Sequence, residues 1–99
     1  MNIKHIELLR GGLKEFSVPS GLHDGLIRYI AYRIPTGAFL RSILENNLKV
    51  AVCLADPINQ THLTNIIGFL EHWAPEECWG SPERVTEWLR NRPIPKDKE

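Results

Sequence analysis

The sequence predicts an all-α, compact single-domain bundle of five to six short helices, and three observations predict it. Apolar residues recur at helical spacing. Segments open on capping residues at Thr36, Asp56 and Ser81, the last two followed directly by proline. No stretch alternates apolar with polar residues between turn dipeptides, as a half-buried strand does.

Each element can be justified in order. Ile3, Ile6 and Leu9 share one face of a short first helix over residues 3–10, with Gly11-Gly12 as its flexible stop. After Val18-Pro19-Ser20, the residues Leu22, Leu26, Ile27, Ile30 and Ile34 fill one arc of a helical wheel. Pro35 disfavours helix at Ile34, so this second helix ends near residue 33 or 34. Thr36 is the expected N-cap of a third helix with a stripe of Phe39, Leu40, Ile43 and Leu44.

Asn46-Asn47 then poses a choice, because Ala51, Leu54 and Ala55 continue that stripe in phase. One unbroken helix over 36–55 would bury the Asn47 amide in its apolar face, at about 1–3 kcal/mol if unpartnered. A break is therefore expected, with Asn47 capping a short helix over 48–55. Asp56-Pro57 opens the next helix, which carries Ile58, Leu63, Ile66, Ile67, Leu70 and Trp73 along one face until Pro75 ends it. Ser81-Pro82-Glu83 repeats the device before Val85, Trp88 and Leu89. The chain reads as one domain over 1–91, and Arg92 to Glu99, with two prolines among alternating charges, as a disordered tail.

A chain of 99 residues, 42% hydrophobic and 24% charged, suits one core and no second independent domain. Lys and Arg balance Asp and Glu at 12 each, so no overall basic field draws the chain to a phosphate backbone. The balance is uneven along the chain: residues 1–50 are net basic and residues 51–99 net acidic. Glu7 falls where a secretory signal would be apolar, and no apolar run approaches the ~20 residues of a membrane span. The expectation is a cytoplasmic protein with no membrane partner, with Cys53 and Cys78 as free thiols.

Chemistry-bearing residues are sparse. The possible metal ligands Cys53, His62, His72 and Cys78 lack the paired close spacing that brings two ligands together locally, so no metal and no cofactor are expected. No Gly-x-Ser-x-Gly elbow or phosphate-binding glycine loop occurs, and Cys78 beside Glu77 has surroundings that raise its pKa, so the chain does not read as an enzyme. Glu76-Glu77 follow Pro75, where acids favour a helix start. Trp73, Trp79 and Trp88 are expected to lock the last helix onto the one before it.

On the wheel, Asp24, Arg28 and Tyr32 project opposite the apolar arc, with Tyr29 at the border. Arg and Tyr are enriched at the energetic centres of protein interfaces. The expected partner-binding set is Arg28, Tyr29 and Tyr32 with Arg33 and Arg41 at the rim, facing a host protein or a second copy of this chain. Nucleic acid is the weaker reading of the same arginines: the third helix offers little polar or basic surface for groove recognition.

Two stretches carry a resemblance. One runs from Arg28-Tyr29-Ile30 through Ile34-Pro35-Thr36-Gly37-Ala38-Phe39-Leu40 to Leu44-Glu45-Asn46-Asn47-Leu48 and Ala55-Asp56. The other is Ala74-Pro75, Cys78-Trp79-Gly80-Ser81-Pro82-Glu83, then Val85 and Trp88-Leu89. In these the chain resembles a group of short proteins encoded by phages and prophages. The resemblance implies a viral accessory protein in a bacterial cytoplasm, of the kind that occupies a host surface, for instance to inhibit a defence complex. It supplies no activity and no catalytic residue.

Overall fold

A computed structural model describes residues 3–91; the expected tail over 92–99 lies outside them. The described residues form seven α-helices and two 3-10 turns with no strands: α1 Ile3–Glu15, a turn at Ser20–Leu22, α2 His23–Tyr32, α3 Ala38–Leu44, α4 Leu48–Leu54, α5 Pro57–Thr61, α6 Leu63–Trp73, a turn at Glu76–Cys78, and α7 Pro82–Arg90. The all-α prediction holds, with one or two more helices than expected.

The first correction concerns α1, which runs straight through Gly11-Gly12. Gly12 is buried, and a methyl group built on it would lie 2.7 Å from three atoms of the Trp73 indole. The missing side chain is what lets α6 close onto α1. The helix stops later, where Ser17 takes a left-handed conformation (φ 54°) and the Ser17 and Val18 amides reach back to the Lys14 and Leu13 carbonyls. Asn65 then donates to the Phe16 carbonyl at 2.9 Å, fixing the end of α1 against α6.

Helix α2 ends as expected before Pro35. Arg33 adopts φ 57°, and the Ile34 amide folds back to the Arg28 carbonyl at 3.2 Å. Leu26, Ile27 and Ile30 are buried, but Ile34, placed in the apolar arc by an extrapolated helix, is 36% exposed because the left-handed residue swings it off the wheel. Thr36 does not cap α3: Gly37 holds the cap position with no side-chain bond, and the Thr36 hydroxyl donates to the Gly37 carbonyl instead.

The break at residues 45–47 occurs as predicted. Asn46 is left-handed (φ 63°), and the Asn47 side chain accepts from the Val50 amide at 3.3 Å at the start of α4. Asp56 and Ser81 cap as expected, accepting from Asn59 at 2.7 Å and Arg84 at 3.1 Å. The helix expected to be unbroken from 57 to 74 is two. At His62 (φ −106°) the Thr61 hydroxyl and the His62 ring engage the Pro57 and Ile58 carbonyls, and the chain re-enters helix as α6. The bend turns Ile58 outward, 63% exposed, while Ile66, Phe69 and Leu70 of α6 are fully buried.

The core gathers Leu9 and Leu13 from α1, Leu26, Ile27, Tyr29 and Ile30 from α2, Leu40, Ile43 and Leu44 from α3, the α6 trio, and Cys78, Val85 and Trp88. Two of the three tryptophans make other joints than the expected one of α7 on α6. Trp88 donates to the Tyr29 carbonyl of α2 at 2.9 Å, and Trp73 lies on α1 with its indole N–H directed at Glu15.

Candidate protein-interaction surface

Of the five residues predicted to bind a partner, the fold leaves two together and open. Arg28 and Tyr32 sit one turn apart on the outer side of α2; Arg28 is exposed with no ion pair among the described residues, and Tyr32 is 46% exposed. Ile34 joins them through the backbone bond to Arg28. Asp24, one turn before Arg28, pairs with Arg10 at 3.4 Å rather than with Arg28.

The remaining three are engaged by the fold. Tyr29 is a correction: it is 1% exposed, and its hydroxyl donates to the Cys78 carbonyl at 2.6 Å. Burial and the neighbouring Cys78 push its pKa well above the ordinary tyrosine value, so it serves as a neutral donor. Arg33 lies with its guanidinium 3.7 Å from the centre of the Trp88 ring, in a shallow cavity shared with Glu77 and Glu87. Arg41 forms a 2.7 Å ion pair with Glu45, one turn on in sequence. The three arginines therefore do not make one free basic face.

Two thiols differ as sharply. Cys53 is exposed on α4, whereas Cys78 is fully buried, and burial followed by the charge of Glu77 pushes its pKa up to about 12. It is a packing group, not a nucleophile. His62 and His72 each spend a ring nitrogen on the backbone carbonyl four residues earlier, that of Ile58 and of Gly68. Among the described residues, no three His, Cys, Asp or Glu side chains gather as a metal ion needs, and no helix is long and apolar enough to cross a membrane.

A cavity of about 460 Å³ opens beside Asn46, Glu71, Glu76, Trp79 and Arg84. Its cation is committed to structure: Arg84 donates to the Glu76 and Trp79 carbonyls at 3.0 and 3.3 Å, clamping the loop that leads to α7.

One surface was missed by the sequence reading. Leu48, Val50, Val52 and Leu54 of α4 are all 40–56% exposed, and only Ala51 of that helix is buried. The signal was present in the run Leu48-Lys49-Val50-Ala51-Val52-Cys53-Leu54, which has apolar residues on both flanks of the helix rather than along one stripe, with Lys49 its one charge. No protein-family model, curated protein or solved structure matches this chain.

Proposed function

We propose that this chain is a non-covalent binding module that occupies a surface of a host protein, in the manner of the phage-type accessory proteins its sequence resembles, with inhibition of a host defence complex as the specific form. The observation that carries this reading is the Arg28–Tyr32 pair, side by side on α2 and free of the intramolecular partners that engage Arg33 and Arg41. An exposed arginine beside a half-exposed tyrosine and Ile34 supplies charge, a hydrogen-bonding ring and an apolar edge in one patch. The alternative, a nucleic-acid-associated regulator using Arg28, Arg33 and Arg41, draws less support because two of its three cations are spent within the fold.

The test is affinity capture from nuclease-treated bacterial lysate, with wild type beside Arg28→Ala/Tyr32→Ala. The expected result is a stoichiometric protein that survives nuclease and is held about tenfold more weakly by the double variant, a loss of roughly 1.4 kcal/mol. Recovery that vanishes with nuclease turns the reading to nucleic acid. A folded double variant that captures as well as wild type removes this face.

A further inference from the structure

We infer that residues 47–61, the α4–α5 segment, form a strap that opens as one unit, hinged at Asn46 and His62, while the rest of the helical body stays folded. The strap does not include the Arg28–Tyr32 patch, so the inference stands or falls independently of the proposed target.

The first argument is how little holds the segment down. Between Asn47 and Thr61 only Ala51 is buried, and α5 contributes no buried residue. Helix α4 lies against α3 and α5 against α6, in each case the neighbour in the chain, and neither packs extensively on a more distant element. Among the described residues, no hydrogen bond or ion pair runs from residues 48–61 to a residue outside 47–62. The caps at Asn47 and Asp56, the Thr61 and His62 side-chain bonds and the 3.3 Å bond from Gln60 to the Val52 carbonyl all close within that stretch. Helices of seven and five residues do not persist in water without packing, because so few bonds do not offset the cost of nucleation. Apolar burial is the main resistance to local opening, and here it amounts to one alanine, where α6 buries Ile66, Phe69 and Leu70.

The second argument is the contrast at the two ends. Asn46 is left-handed (φ 63°), and at His62 the chain departs from helical geometry (φ −106°). Just beyond each joint the chain is fixed: Leu44 is fully buried with its carbonyl accepting from the Gly80 amide at 2.7 Å, and Ile66 is fully buried. Changed backbone angles at two such joints move the stretch between them and leave the packed residues on either side in place. The Gln60–Val52 bond ties α5 to α4, so the two helices go together. A cavity of about 460 Å³ separates Asp56, Ile58 and Asn59 of the strap from the Pro19–Leu22 turn of the body, and Ile58 lines it while remaining 63% exposed. Opening removes this wall, so the strap governs access to the cavity.

The experiment is native-state amide hydrogen exchange of the full chain, corrected for intrinsic rates. Amides of residues 51–55 and 60–62 should exchange at least about a hundredfold faster than those of Tyr29, Ile30, Phe69 and Leu70. Ile30→Val, in the body, should speed the α2 and α6 amides about two- to tenfold and leave the strap amides unchanged, because opening the strap does not break that packing. Ala51→Gly should speed the α4 and α5 amides by one common factor of at least about five, through lost helix propensity and the lost buried methyl. Strap amides as protected as those of the core overturn the inference. So do strap amides that follow Ile30→Val, which would make the segment part of the global unit, or an Ala51→Gly chain in which α4 responds and α5 does not.

Discussion

The indole N–H of Trp88 donates to the main-chain carbonyl of Tyr29, 59 residues earlier, at 2.9 Å, and the rings of the two residues lie 6.5 Å apart. Tyr29 passes the connection on through its hydroxyl to the Cys78 carbonyl at 2.6 Å. Through these two buried bonds α7 and the Glu76–Cys78 turn are held to α2, although each element's own sequence shows only an apolar stripe or a turn.

Tyr29→Phe keeps the ring and deletes the donor, leaving the Cys78 carbonyl buried without the hydroxyl. Unfolding in urea should show a loss of about 1–3 kcal/mol. Trp88→Ala, which also opens a cavity, should cost about 3–5 kcal/mol. A Tyr29→Phe chain with the wild-type midpoint would mean that the hydroxyl bond adds nothing.

The two adjacent glycines of α1 should respond to alanine with opposite signs. A methyl at Gly11 meets nothing within 4 Å, so Gly11→Ala should stabilise by about 0.5–1 kcal/mol through helix propensity alone. A methyl at Gly12 enters the Trp73 ring at 2.7 Å, so Gly12→Ala should destabilise by about 1–3 kcal/mol despite the same propensity gain. Paired thermal melts decide it; a Gly12→Ala chain that melts above wild type would show that Trp73 moves aside freely.

A thiol reagent should modify one cysteine in the native chain, Cys53, and reach Cys78 only on unfolding, because only the first is exposed. Stability should also fall with alkali. The folded state holds the Cys78 proton from its ordinary value near 9 up to about 12, so between those values the unfolded chain binds fewer protons and gains on the folded one. The loss runs at most to about 1.4 kcal/mol per pH unit for this group, and the raised Tyr29 adds to it above its ordinary value of 10.0. Urea midpoints that stay flat from pH 8 to 11 would contradict the burial of both groups.

Capping energies should separate the residues that cap from the one that only looks as if it should. Asp56→Ala and Ser81→Ala should each cost about 0.5–2 kcal/mol. Thr36→Ala should cost almost nothing by the same measure, since its hydroxyl does not reach an α3 amide. Loss of helix signal in Thr36→Ala comparable to that of Asp56→Ala would restore it as a cap.

The sequence by itself determined the all-α class, the break at Asn47 and the starts at Asp56 and Ser81, because a cap bonds an amide three residues away and needs nothing more distant. It also placed Arg28 and Tyr32 on one outer face, since one turn of one helix fixes their relation. Only the tertiary structure decided that Gly12 continues a helix instead of ending it, that Tyr29 at the border of its wheel turns inward, and that Arg33 lies on Trp88. It alone decided, too, that Ile34, Ile58 and the flanks of α4 stay uncovered. Each of those outcomes depends on what packs against the residue, and the partners of Gly12, Tyr29 and Arg33 come from elements dozens of positions away. A helical wheel gives the direction of a side chain and carries no information about what, if anything, waits there to meet it.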